Sequence, residues 1–136
     1  MKRFKTPSMA SECESLVQHV LDFAAVMLQF SDNPYPFAAI RVHGRIECVF
    51  CPENSNEDAR SNSMIEQLEW LVLDRQFQTR TISSVVAFCA EVETAGHDRM
   101  DVIVTKIDDG QGLEVTRLYP FSRDQTGLTF SDPISY

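Results

Sequence analysis

Ile82-Ser83-Ser84-Val85-Val86-Ala87-Phe88-Cys89-Ala90-Glu91-Val92 is the stretch whose reading decides the fold. Ile82, Ser84, Val86, Phe88, Ala90 and Val92 fall on alternate positions and are mostly of the β-branched, aromatic and small types that suit a pleated surface, so the stretch reads as a β-strand. Two further strands follow, from Asp101 to Ile107 and from Leu113 to Tyr119. Their connections, Thr94-Ala95-Gly96-His97-Asp98 and Asp108-Asp109-Gly110-Gln111-Gly112, carry the glycines and acidic residues of tight hairpins. The second half of the chain is therefore a three-strand antiparallel meander.

Upstream of it the periodicity is helical, with Met64, Ile65, Leu68, Trp70, Leu71, Val72 and Leu73 as apolar content and Glu66, Gln67, Glu69 and Asp74 as the wet side. Ser63 and Glu66 have the spacing of a capping box, with Asp58 as an alternative start one turn earlier. Before that helix, Phe37 to Val42 and Arg45 to Phe50 read as a hairpin. A three-residue loop of Val42, His43 and Gly44 pairs Ile40 with Ile46 and Ala38 with Cys48, which gives one apolar face and leaves Arg41, Arg45 and Glu47 on the other. Earlier still, Leu16, Val17, Val20, Leu21, Ala24, Met27 and Leu28 mark a helix from Ser11 to near Phe30. Ser11 and Glu14 form its capping box, and Pro34 and Pro36 lie beyond its end.

These elements predict a single globular α+β domain over residues 1–136. Its plan is one antiparallel sheet of about five strands, a hairpin plus the meander, whose apolar side is covered by two helices. Residues 1–10 and 122–136 are read as tails, the second packing through Leu128, Phe130 and Ile134. Over residues 11 to 121 the order of elements resembles profilin-like and roadblock-type domains. That likeness implies that hairpin and meander join through the first and last strands.

Tyr35-Pro36-Phe37 opens the first strand and Tyr119-Pro120-Phe121 closes the last. If those strands pair, both tripeptides meet at one sheet end. They then form either a shelf of Tyr35, Phe37, Tyr119 and Phe121 that grips a ligand, or a core plug under the first helix, and the plug is favoured. Tyr35 to Ala38, Gly44 to Glu47, Ile65 to Leu68 and Tyr119 to Phe121 also resemble an uncharacterised group of small bacterial proteins. The resemblance implies a bacterial origin and no particular chemistry.

Twelve basic against twenty acidic side chains give a net charge of −8, which opposes a polyanionic partner in a chain without a basic patch. Lys2, Arg3 and Lys5 read as a solvated tail. The segment after them carries Glu12, Glu14, His19 and Asp22, so it lacks the unbroken apolar core of an export signal, and no window suits a membrane span. A cytoplasmic setting with reduced thiols is expected. Cys48-Val49-Phe50-Cys51 is the one formal motif. It ends a strand rather than opening a helix and has no second paired spacing, so it reads as small core residues rather than a metal or redox site. His97-Asp98-Arg99-Met100-Asp101 lies on a hairpin, where such groups are normally solvated.

No nucleophile elbow, phosphate loop or zinc helix is present, and neither cofactor nor metal is expected. The function this favours is a non-catalytic acidic module that binds a basic protein partner, for example as an immunity or accessory protein. Glu53, Glu57 and Asp58, with the Glu-rich side of the second helix, are its candidate contacts. A homodimer through an exposed sheet edge is a second version. The rival is a small-molecule sensor or enzyme with a pocket between sheet and helices, using Tyr35, Tyr119 and Cys48.

Overall fold

The computed structural model describes residues 11–50, 62–78 and 82–135. In chain order these form α1 (Ser11–Phe30), β1 (Phe37–Val42), β2 (Arg45–Phe50), α2 (Asn62–Gln78), β3 (Ser83–Glu93), β4 (Arg99–Asp108), β5 (Glu114–Asp124), β6 (Gly127–Phe130) and β7 (Ile134–Ser135). The strands make one antiparallel sheet in the order β2-β1-β3-β4-β5-β6, with β7 also pairing β5. The described residues thus form an α+β fold with two helices and a sheet of seven strands rather than about five.

The two extra strands lie in the segment read as a C-terminal tail. Phe121 pairs with Phe130 and Leu118 with Ile134, so this segment turns back once and then runs antiparallel along β5 through β6 and β7. Leu128 and Phe130 pack against the core, as their apolar character suggests, whereas Ile134 remains exposed. Residues 1–10, 51–61, 79–81 and 136 lie outside the described residues, and with them the basic tail, Cys51, Glu53, Glu57 and Asp58.

The sheet is covered on both faces, not one. Phe37, Ala39, Val85, Ala87, Cys89, Ile103 and Tyr119 share a face and pack with Leu16, Val17, Val20, Leu21, Ala24 and Leu28 of α1. The alternate residues Ala38, Ile40, Ile82 and Val86 pack with Leu68 and Val72 of α2 on the opposite face. β1 and β3 therefore have packed residues on both sides, which is why six of the eight residues from Ile82 to Cys89 are buried.

That double covering overturns the hairpin register. Requiring one apolar face favours a three-residue loop, but β1 needs two. Val42 in fact pairs with Arg45, Ile40 with Glu47 and Arg41 with Ile46, across a two-residue turn of His43 and Gly44. Both turn residues have positive φ, 50° and 77°, as the mirror-image turn that matches strand twist demands.

The junction between hairpin and meander also differs from the expectation. β1 pairs with β3, Phe37 lying opposite Ala87, so β5 is three strands from β1. β2 and β3 run the same way on either side of β1, and α2 lies between them in the chain. Among the described residues no helix is long and apolar enough to cross a membrane.

Candidate binding groove

α2 carries more apolar residues than one buried face can hold. Met64, Ile65, Leu68 and Val72 recur at near-helical spacing and are buried. Trp70, Leu73 and Phe77 follow one another at steps of three and four on the far side, where Trp70 is 71% and Phe77 82% exposed. Single exposed apolar residues are ordinary on a protein surface, but an aligned run of three on one helix is a different matter.

Both flanks of α2 are tied to the sheet. On one flank Arg75 donates to Glu47 of β2 at 2.6 Å. On the other, Lys106 of β4 donates to Glu69 at 2.9 Å, and Gln76 Nε2 donates to Asp108 Oδ2 at 3.2 Å. Asp108 is itself fixed, because its Oδ1 accepts from the Gly110 amide at 2.8 Å as β4 turns into β5.

Along this second flank runs an open groove of about 730 Å³. Its wall is Glu66, Glu69, Trp70, Leu73 and Gln76 of α2, and its floor is formed by β3, β4 and β5, including Lys106, Asp108 and Glu114. Four carboxylates face one ammonium there, so the groove combines an excess of negative charge with an apolar lip. Such a surface attracts cations by charge and rewards an apolar neighbour by burial.

The aromatic shelf does not form. Its premise was pairing of β1 with β5, and the intervening β3 and β4 separate those strands by about 14 Å. Tyr35 is half-exposed ahead of β1, whereas Phe37 is buried with its ring edge-on to Phe23 at 5.1 Å. Tyr119 is buried on the α1 face, where its hydroxyl accepts from Arg117 at 3.3 Å. Phe121 lies edge-on to Phe130 at 6.2 Å.

The rival's trio does not converge either, since Cys48 on β2 is four strand spacings, about 19 Å, from Tyr119 on β5. Cys48 is exposed and so is not the core residue it was expected to be. His97 is exposed and pairs with Glu93 at 3.0 Å. Among the described residues no three His, Cys, Asp or Glu side chains gather as a metal site.

The helical pattern puts Glu66 and Glu69 on the wet side of α2 and counts Trp70 and Leu73 among its apolar content without separating them from Leu68 and Val72, and it does not include Phe77. At 100° per residue, Trp70, Leu73 and Phe77 cluster nearly opposite Leu68 and Val72, and that arithmetic was the available signal. No family model, no curated protein and no solved structure matches the chain.

Proposed function

We propose that this chain is a non-catalytic acidic module that binds a basic protein partner in the groove beside α2. The observation that carries the reading is a groove in which Glu66 and Glu69 of α2 face Asp108 and Glu114, with Trp70 and Leu73 on its wall and Phe77 exposed one turn further along the same helix. Aromatic side chains supply much of the energy of protein interfaces, and unlike charges speed encounter and fix register. The same carboxylates oppose nucleic acid. A cytoplasmic setting fits this role.

The test is retention on an immobilised helical peptide of leucine and lysine. Wild type is expected to be retained at low salt and released at high salt, and a Trp70→Ser, Phe77→Ser variant to pass through with an unchanged melt. A wild type that is not retained, or a variant retained equally well, would contradict the reading. The alternative, a small-molecule sensor or enzyme, draws on the groove's volume, which lies within the range of ligand sites. A metabolite carried through purification would favour it. A homodimer through a sheet edge is a second version, and β2 and β6 are the end strands of the sheet order.

A further inference from the structure

Lys106 is the one cation among the described residues that line the groove. It rises from the floor strand β4 to the wall, its ammonium 2.9 Å from Glu69 and 5.9 Å from the centre of the Phe88 ring. Lys106 and Glu69 are both near half exposure, 44% and 45%. An ion pair so placed is well solvated, contributes little to folding and exchanges partners readily. Glu69 therefore already holds, from within the chain, the kind of group that a basic partner would bring.

Resting on the docking role given above to the groove, we infer that Lys106 is an internal stand-in for the partner's cation. The occupant is a basic amphipathic helix. One of its Lys or Arg side chains takes Glu69 as Lys106 moves out into water, while its apolar side meets the Trp70, Leu73 and Phe77 ridge. Residues 70 to 77 of α2 rise about 10 Å, so two turns of a helix lying alongside match the ridge. Charge complementarity selects this occupant. Once Lys106 has left, Glu66, Glu69, Asp108 and Glu114 confront the bound segment without an internal counterion.

Calorimetric titration of the full chain with a helical leucine-lysine peptide tests the inference. Lys106→Met removes the competitor and is expected to tighten binding roughly two- to five-fold, the range that an exposed ion pair implies. Glu69→Gln is expected to weaken it at least about three-fold, and thermal melts confirm that both variants fold. A peptide with glutamine in place of every lysine should not distinguish Lys106→Met from wild type. If wild type binds but Lys106→Met binds no more tightly, the stand-in role is overturned while the docking role survives. A scrambled peptide of the same composition that binds equally well overturns the helical fit. Absence of binding by wild type at low salt overturns both the inference and the reading beneath it.

Discussion

Arg117 is the one buried ionic side chain among the described residues, and its surroundings explain Glu14, which sequence spacing assigned to a helix cap. Two guanidinium nitrogens of Arg117 reach the two oxygens of Glu14, at 3.0 and 2.7 Å, and thereby tie the first turn of α1 to β5. The pair is asymmetric, because the Arg117 side chain is 6% exposed and that of Glu14 44%. Removing Glu14 strands a buried cation, whereas removing Arg117 leaves a carboxylate that water can solvate. Arg117 Nε is moreover buried without a partner, so a change to Met discards that cost as well.

Glu14→Ala is accordingly expected to cost about 2–3 kcal/mol, less than a fully buried pair, and Arg117→Met only about 1 kcal/mol, as read from denaturant unfolding. The pH dependence has a definite sign. Hydrogen bonding from Arg117 is the main cause that holds the Glu14 carboxyl below its ordinary value of 4.5, with the guanidinium charge adding to it and burial opposing. The unfolded chain therefore takes up the proton first. Stabilisation is complete above the ordinary glutamate value and is lost as pH falls through the lower folded one. The gap in melting temperature between wild type and Glu14→Gln should narrow from about pH 5 towards about pH 3. A constant gap would contradict the ion pair's role.

At the scale of elements, the ends of α1, β1 and β2 are legible in the sequence because capping residues, prolines and His43-Gly44 mark them. The β1–β2 register is not, since alternation identifies a strand but does not say how many of its faces are covered. Only the placement of α2 opposite α1 shows that Ile40 is to be buried opposite Glu47. The two-residue turn can be tested directly. Nothing lies within 4 Å of a Cβ built on Gly44, so Gly44→Ala meets only the backbone penalty of its positive φ, about 1–2 kcal/mol. His43→Asn should instead raise the melting temperature slightly, because Asn tolerates the left-handed region better.

α2 offers a second contrast. Leu68 is fully buried between β1 and β3, and Leu68→Ala should cost about 3 kcal/mol. Phe77→Ser, one helix face away, should leave the melt within about 0.5 kcal/mol of wild type while weakening peptide retention. A large loss of stability at Phe77 would mean that the exposed ridge is holding the fold rather than awaiting a partner.

Over the whole molecule, the class and order of elements were readable, whereas the strand order and the site were not. Local patterns fix helices and strands, but nothing local in Phe37 says whether it lies beside β3 or β5, and so the two Tyr-Pro-Phe copies suggested a meeting that β3 and β4 prevent. The short β6 and β7 were missed because Gly127–Phe130 and Ile134–Ser135 offer too few residues for alternation to register. The groove was half legible. Glu66 and Glu69 read as a wet face, but an inventory of the apolar residues of α2 does not separate Trp70 and Leu73 from Leu68 and Val72, which are the ones that pack in the core. What emerges is a sheet with a helix on each face, in which α2 carries an apolar ridge above acidic side chains.

Trp70 is the chain's only tryptophan and stands on that ridge, so its fluorescence reports the central claim without a label. The chain is titrated with a helical leucine-lysine peptide at low and at high salt while the emission maximum is followed. The expected result is a saturable shift to shorter wavelength as Trp70 leaves water, with the midpoint moving to higher peptide concentration as salt is added. Emission that stays at the solvent-exposed wavelength while the peptide is bound would place the docking surface elsewhere and contradict the claim.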